Sequence, residues 1–279
     1  MRRMKPLITG LLSVILGGTA FAATYASDNY TDATVPTGGA TVSNAESTGV
    51  GSYRRLYDGG SVYSVGTVDG FGSGNVLTLS NGSSTHSRAL NSSTAFSLAS
   101  LAVGDVVSMS FDMRLTGTLT AGRSFSFGFL NEAGSGTQSS IAYGMVGETG
   151  GEFRRRDTSW NMSTTSNNGG GRIGDAFTGG GLAVDTNYNL GISITKEGEN
   201  SYTLRYVQNG TTIATVLSNP LTSTAGKDIT GIGFRWSETP GVVTHIDNVL
   251  VTVDAVPEAS SAALVMAAGM AGLLRRRRR

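Results

Sequence analysis

The feature that most limits the possible folds of this chain is a strict alternation of apolar and polar residues in short segments. Residues 105–115 carry an apolar side chain at every second position: Val107, Met109, Phe111 and Met113. Residues 123–129 repeat the pattern with Phe125, Phe127 and Phe129. Successive side chains of a strand point to opposite faces, so the pattern predicts strands with one buried face. No amphipathic helix of convincing length occurs before residue 256.

Turn signals separate these segments. Asn209 and Gly210 lie between two β-prone runs, and Asn-Gly is the pair most typical of a two-residue hairpin turn. Further alternating segments occupy residues 188–195, 229–236 and 242–253, whereas 158–181 reads as a solvent-facing loop. We therefore expect an all-β fold, an antiparallel β-sandwich or jelly roll.

The order of the later segments resembles concanavalin A-like and laminin G-like sandwiches. Residues 188–196, 201–207 and 211–215, with Asn-Gly between the last two, are similar to the central hairpin of those domains. Residues 244–252 are similar to their closing strand and to that of carbohydrate-binding jelly rolls. The resemblance implies a concanavalin A-like jelly roll for residues 23–255.

The N-terminus has the three parts of a secretory signal peptide. Basic residues at positions 2, 3 and 5 precede an apolar run, and Ala20-Phe-Ala22 supplies the small residues that signal peptidase needs. We expect residues 1–22 to form a signal helix that is removed after Ala22. An uncut membrane anchor is the alternative, but the apolar run is well under the ~20 residues of a stable span.

The C-terminus, residues 256–279, combines a short motif, an apolar segment and a basic cluster. Pro257 and Glu258 precede sixteen uncharged residues, 259–274, which as a helix would span about 24 Å of the ~30 Å hydrocarbon core. The chain ends with Arg275, Arg276, Arg277, Arg278 and Arg279. Arginines beside an apolar helix stay on the cytoplasmic side, so a short transmembrane helix would leave the preceding chain outside.

This tail resembles the PEP-CTERM sorting signal of exported bacterial proteins, although the family usually has proline where this chain has Ala259. The resemblance implies that Pro257 and Glu258 are recognised by exosortase, a membrane protease that removes the tail. The protein would then pass from a transient inner-membrane anchor to the cell surface or extracellular matrix, in association with exopolysaccharide. A tail anchor that is never cut is the alternative.

Composition excludes several functions. There is no cysteine, which rules out disulfides, thiolate catalysis and cysteine metal sites. The chain has 21 basic and 20 acidic residues; the two ends hold eight of the basic ones and Glu258, which leaves 13 basic against 19 acidic residues in the body. A body with a net negative charge argues against binding to nucleic acid.

No catalytic constellation is evident, so we expect a protein that is not an enzyme. Strands of glycan-cleaving sandwiches often carry carboxylates at alternate positions, and this chain has no Glu-x-Asp-x-Glu pattern. Glu148 and Glu152 are the nearest pair and read as exposed turn residues. His86 and His245 are the only histidines and lack the spacing of metal ligands.

Binding of a glycan would require aromatic rings and hydrogen-bonding side chains. Trp160, in a polar loop, and Trp236, at a strand end, are the candidate sugar contacts, with packing into the core as the alternative. The basic run 154–156 could meet an acidic polysaccharide, but it reads first as a solvated strand end.

Calcium is the candidate metal, and no other cofactor is expected. Carbohydrate-binding jelly rolls that resemble this chain commonly use an aspartate of the last strand together with residues near the N-terminus, which implies Asp247 here, with Asp28 or Asp32 as its partner. Asp247 could instead hydrogen-bond the backbone.

The resulting hypothesis is an exported, non-enzymatic surface or matrix protein with exosortase, signal peptidase and extracellular polysaccharide as partners. A carbohydrate-binding module is the first alternative, and a glycan hydrolase or lyase of the sandwich type is the second.

Overall fold

The segment with the clearest alternation becomes the central strand β6, Val106–Gly117. Its inward residues Val107, Met109, Phe111, Met113 and Leu115 are all buried, while the residues between them are partly exposed. The computed structural model describes residues 22–28, 30, 50–58, 62–80, 86–119, 121–133, 137–156, 171–199, 201–218, 228–236 and 241–255. The burial of one face of β6 confirms the predicted half-buried strand.

The described residues form fifteen strands and one short 3-10 turn, Leu98–Ser100. Besides β6, the strands are β1 (Ala22–Asp28), β2 (Val50–Asp58), β3 (Val62–Val68), β4 (Phe71–Ser80), β5 (His86–Ser97), β7 (Ser124–Ala133), β8 (Thr137–Gly147), β9 (Gly150–Arg156), β10 (Gly171–Thr178), β11 (Asn187–Gly198), β12 (Ser201–Gln208), β13 (Thr211–Ser218), β14 (Asp228–Trp236) and β15 (Val242–Asp254).

The strands form two antiparallel sheets, as a β-sandwich requires. Sheet A has the order β13-β12-β11-β6-β15-β4-β3, and β1 pairs with β15. Sheet B has the order β10-β9-β8-β7-β14-β5-β2. All of these strands lie within residues Ala22–Ala255, which form one compact unit. The predicted antiparallel sandwich is confirmed.

The predicted signal helix and the predicted C-terminal membrane helix lie outside the described residues. Within the described ranges, no helix is long and apolar enough to cross a membrane.

Aromatic rings from both sheets fill the core. The ring of Phe111 in sheet A lies 5.0 Å from Phe127 and 4.9 Å from Phe234 in sheet B, both in edge-to-face geometry. Phe125 packs on Phe127 at 5.9 Å and on Phe234 at 6.2 Å. Buried aromatic side chains contribute large apolar areas, so this cluster joins the two sheets where the side chains of β6 and β7 meet.

The hairpin predicted from Asn-Gly joins β12 to β13. Gln208 pairs with Thr211 across the turn, and φ is +51° at Asn209 and +76° at Gly210. A type I′ turn needs positive φ at both central residues, which asparagine and glycine tolerate best. The side chain of Asn209 also accepts a hydrogen bond from the N–H of Asn189, at 2.8 Å, and so fixes the turn against β11.

Two strands of sheet B correct the sequence interpretation. Residues 171–178 were expected in a loop and instead form β10, and the glycines at 150 and 151 open β9 instead of a turn alone. β9 carries one apolar residue, Phe153, in seven, so its sequence contains too little alternation to predict a strand. β9 nevertheless pairs with β8 and β10, and Phe153 is buried in the core.

Lys196 on β11 holds the loop before β6. Its Nζ donates hydrogen bonds to the carbonyl oxygens of Ala99, at 2.9 Å, and Leu101. Lys196→Met is expected to lower the free energy of unfolding by about 1–3 kcal/mol, because two carbonyl groups lose a charged donor. Urea denaturation measures this, with the exposed Arg205→Met on β12 as the control. Equal stability of the two variants would contradict this role of Lys196.

Candidate functional site

Strands β8 and β9 place charged and polar side chains on the face of sheet B opposite the core. Phe153 points into the core, so its neighbours Glu152 and Arg154 point the other way. On β8, Val146 belongs to the core cluster, whereas Tyr143 and Met145 do not. Glu152 is only 7% exposed, Arg154 2% and Tyr143 0%. Buried charges on a face away from the core are unusual in a sandwich and mark a candidate site.

The strand register continues this face across sheet B. Arg235 on β14 is opposite Ser126 on β7, Ser126 is opposite Met145, and Met145 is opposite Glu152. In the next row Tyr143 is opposite Arg154, and Arg154 is opposite Arg172 on β10. We call the following residues the arginine face: Ser126, Tyr143, Met145, Glu152, Arg154, Arg172 and Arg235.

An ion pair organises the centre of the arginine face. Arg154 Nε donates a hydrogen bond to Glu152 Oε1 at 2.6 Å, and Arg172 Nη1 lies 3.9 Å from Glu152 Oε2. The side chain of Arg172 is 50% exposed, so one positive charge beside the buried pair reaches solvent. A charge-assisted hydrogen bond in a water-poor environment fixes the geometry of both partners.

The arginine face carries more positive than negative charge. It contains three guanidinium groups, of Arg154, Arg172 and Arg235, and one carboxylate, that of Glu152, which contacts Arg154 and Arg172. Guanidinium groups present paired N–H donors that match carboxylates and other planar anions. The face can therefore bind an anionic ligand, with Arg172 as its accessible contact.

Two interpretations made from the sequence are wrong at this site. Glu148 is exposed as expected, but Glu152 is buried within β9 and is not an exposed turn residue. Arg154 is buried in the same strand and does not belong to a solvated strand end. Glu152 and Arg154 flank the single core residue of β9, Phe153. Because the rest of β9 is glycine and charged residues, its sequence does not show that these two side chains share the outer face of a strand.

The two candidate tryptophans are not brought together by the described part of the structure. Trp236 is the last residue of β14 and lies opposite Phe125 on β7. Trp160 falls outside the described residues. Their contact with sugar stays a prediction.

The calcium candidates Asp247 and Asp28 come close in the fold. Asp28 on β1 pairs with Val249, two residues beyond Asp247 on β15. Asp247 is buried, and its Oδ1 accepts a hydrogen bond from the N–H of Asn248 at 2.8 Å. This is the backbone hydrogen bond predicted as the alternative to calcium binding. Among the residues whose positions are described, no group of three or more His, Cys, Asp or Glu could hold a metal ion.

A calcium ion takes six to eight oxygen ligands. Asp112 on β6, directly opposite Asp247, supplies a further carboxylate. Calcium at Asp247 and Asp28 stays a prediction.

His245 lies on the outer face of sheet A between two threonines. Its Nδ1 is 3.0 Å from Thr78 Oγ1 and its Nε2 is 3.1 Å from Thr116 Oγ1. Arg114 is its cross-strand partner on β6. Burial and the positive charge of Arg114 lower the pKa of His245 below its ordinary value of 6.5. The ring is therefore neutral at pH 7 and serves as a hydrogen-bonding link between β4 and β6.

Acidification is expected to destabilise the fold through His245. Because its folded pKa is lowered, the unfolded chain takes up a proton first as the pH falls below about 6.5. The contribution is fully present above that pH and is lost as the pH falls toward the folded pKa, at no more than about 1.4 kcal/mol per pH unit. Urea denaturation between pH 7.5 and 5.5 measures it. His245→Gln should reduce this slope, and an unchanged slope would contradict the assignment.

The residues of the predicted sorting signal, Pro257, Glu258 and Arg275 to Arg279, lie outside the described residues. Their role in membrane engagement and processing stays a prediction.

The fold and the arginine face together define the class of this protein: an antiparallel β-sandwich with a buried, arginine-rich outer face. Protein-family models and curated proteins gave no match to this chain. Among solved structures, a carbohydrate esterase from the Shiga toxin-encoding bacteriophage phi24B is 14% identical, covers 84% of this chain and 100% of its own, and has a TM-score of 0.50.

Two further solved structures are similar. An endo-1,3-β-glucanase from Streptomyces sioyaensis is 12% identical over 84% of this chain and 97% of its own, with a TM-score of 0.44. The carbohydrate recognition domain of Emp46p is 9% identical over 68% of this chain and 86% of its own, with a TM-score of 0.46. At these identities, the likeness to the phage esterase shows the sandwich fold alone.

Proposed function

We propose that this chain is an exported, non-enzymatic protein of the cell surface or extracellular matrix whose sandwich binds acidic polysaccharide. The observation that carries the proposal is the arginine face, where the buried Arg154 lies opposite the half-exposed Arg172, and a further buried arginine, Arg235, lies on the same face of sheet B. A body with an excess of acidic residues has concentrated positive charge on one face of one sheet.

Electrostatics make this face selective. An acidic polysaccharide carries a carboxylate or sulfate on many of its sugars, and one of these groups would pair with the accessible guanidinium of Arg172. The acidic remainder of the body repels the same polymer, which orients it toward the positive face. Arg154 is held by Glu152 before any ligand arrives, so its ordering costs little entropy on binding.

The state of Glu152 favours binding over catalysis. A glycan hydrolase of this kind needs a pair of carboxylates about 5–10 Å apart, one of which acts as a general acid. Glu152 is instead engaged by Arg154 at 2.6 Å and by Arg172 at 3.9 Å, and Glu148 is exposed at the β8–β9 turn. These contacts favour a role for Glu152 in positioning the arginines.

A lyase remains the enzymatic alternative, because Tyr143 and Arg154 are register partners on β8 and β9. A lyase neutralises the carboxylate of a uronic acid with a cation while a base removes the adjacent proton. The complete burial of Tyr143 favours a structural role for its ring. An increase in ultraviolet absorbance from an unsaturated sugar product, lost in Tyr143→Phe, would establish the lyase instead.

Export and sorting in this proposal depend on the two ends of the chain. The tail of Pro257, Glu258, a short apolar segment and five arginines would engage the membrane briefly before exosortase removes it. Mass spectrometry of the secreted protein tests this directly: a C-terminus near Pro257 supports processing. An intact Arg279 in the membrane fraction would show a permanent anchor.

Arg172→Ala is expected to weaken binding of polygalacturonate about tenfold or more, because a hydrogen bond to a charged group contributes about 1.5–3 kcal/mol. Isothermal titration calorimetry of the full-length chain in mild detergent measures the affinity. Arg205→Ala removes an exposed arginine from β12 in sheet A and is the matched control. Equal losses in both variants would show that binding follows net charge and not the arginine face.

A further inference from the structure

The outer face of sheet A carries a second polar cluster, which differs in charge from the arginine face. Asp112 on β6 is its centre: Oδ1 accepts a hydrogen bond from Asn189 Nδ2 and Oδ2 accepts one from Asn248 Nδ2, each at 2.8 Å. Asn189 and Asn248 are exposed and Asp112 is partly exposed. The three side chains form an array of donors and acceptors that solvent can reach.

Arg114 extends the cluster along β6. Its Nη1 donates hydrogen bonds to Asn187 Oδ1 at 3.1 Å and to the carbonyl oxygen of Gly70 at 3.4 Å, and its Nη2 lies 3.6 Å from Asp185. Asn187 Nδ2 also donates to Gly70, at 3.0 Å. These contacts hold the guanidinium and the amide in fixed orientations beside Asp112.

A cleft of about 230 Å³ opens at this cluster, lined by Phe71, Gly72, Asp112, Asn187, Tyr188 and Asn189. This volume is below the ~300–1,000 Å³ typical of pockets for drug-sized ligands. The cleft has the size needed for a single small ring. The cleft thus combines one carboxylate and two amides with Phe71 in its lining.

The backbone of β15 departs from regular strand geometry beside Asp112. The pairing of β15 with β6 shifts between Asp247 and Leu250, and the extra residue Asn248 has a φ of +50°. This β-bulge turns the amide of Asn248 toward Asp112. Asp112 and Asp247 are also direct cross-strand partners, a like-charge arrangement that lowers stability. Strain and repulsion of this kind at an accessible cleft are typical of binding sites.

From this arrangement we infer that the Asp112 cluster binds one neutral sugar unit through its vicinal hydroxyl groups. A carboxylate with free lone pairs accepts from sugar hydroxyls, and the remaining amide N–H groups donate to them. The formal charge of Asp112, Asp185, Asp247 and Arg114 is negative in sum, so an acidic sugar is disfavoured. The amide N–H groups that point at both oxygens of Asp112 disfavour a cation. The inference goes beyond the proposed function and does not require it.

Two variants test the site without disturbing the strands. Asn248→Gly removes the amide while glycine tolerates the positive φ of the bulge. Asn189→Ala removes the other amide and keeps the backbone N–H that donates to Asn209. Ser193→Ala, on the same face of β11, is the matched control. Thermal denaturation of each variant checks that the fold is kept.

Isothermal titration calorimetry of the full-length chain uses neutral oligosaccharides of glucose, galactose and mannose as probes, with EDTA present. We expect at least one probe to bind, and its affinity to fall tenfold or more in Asn248→Gly and in Asn189→Ala but not in Ser193→Ala or Arg172→Ala. No binding of any neutral probe, or equal affinity in all variants, would overturn the inference. In a separate titration without EDTA, binding of calcium chloride that is lost in Asn248→Gly and Asn189→Ala would identify a cation site instead and would also overturn the inference. Loss of polygalacturonate binding in Arg172→Ala is a separate result that concerns only the arginine face.

Discussion

Phe111→Ala is expected to lower the free energy of unfolding by about 3–5 kcal/mol. Phe111 is fully buried on the central strand β6, and its ring contacts Phe127 at 5.0 Å and Phe234 at 4.9 Å across the two sheets. The substitution leaves a cavity bordered by rigid rings, which cannot collapse to fill it. Urea denaturation followed by tryptophan fluorescence measures the loss.

The matched control for Phe111 is Phe177→Ala on β10. Phe177 contacts Phe153 at 5.6 Å and Tyr206 at 5.3 Å, but it is only partly buried at the edge of the core. Its truncation should cost less than that of Phe111, because solvent already reaches the ring. A loss below about 1 kcal/mol for Phe111→Ala would contradict the central position of the aromatic cluster.

Arg154→Met is expected to destabilise the chain by about 3–5 kcal/mol, because it leaves the buried carboxylate of Glu152 without its 2.6 Å partner. Arg172, at 3.9 Å and half exposed, compensates only in part. Equilibrium unfolding in urea measures the change. The same variant should also lose affinity for polygalacturonate, since the arginine face loses a guanidinium group.

A double variant separates the buried charge from the packing of the side chain. Combining Glu152→Gln with Arg154→Met removes both charges, so most of the lost stability should return. Recovery would show that an unpaired carboxylate causes the loss in Arg154→Met. If the single variant is as stable as the parent chain, Glu152 and Arg154 do not form a buried ion pair.

The parts of the fold that follow from local pattern were predictable. β6 and β7 alternate strictly, and the Asn-Gly turn fixes the register of β12 with β13 through Gln208 and Thr211. In both cases the information lies within about ten residues of the chain. Burial of one face then follows from the period of the strand.

The arginine face was not predictable because it depends on pairing between strands and not on local alternation of apolar and polar residues. β9 has little alternation of its own and becomes a strand only through pairing with β8 and β10. Glu152 therefore looked like an exposed turn residue and Arg154 like a solvated strand end. Similarly, no local pattern brings Asp112 of β6 beside Asn189 of β11 and Asn248 of β15.

The two sheets present chemically different outer faces. Sheet B offers guanidinium groups around Glu152, whereas sheet A offers Asp112, amides and Arg114 around a small cleft. A sandwich with an anion-binding face and a hydroxyl-binding face would hold two kinds of sugar on opposite sides. Under the proposed function, such a domain would link polysaccharide segments of the extracellular matrix.

The most direct test of the central claim is chemical-shift mapping by NMR of the full-length chain with an oligogalacturonate. We expect the perturbed signals to concentrate on the outward residues of β8, β9 and β10, with the largest shift at the half-exposed side chain of Arg172. Perturbations confined to sheet A, or none at saturating ligand, would contradict the assignment of the arginine face as the polysaccharide-binding site.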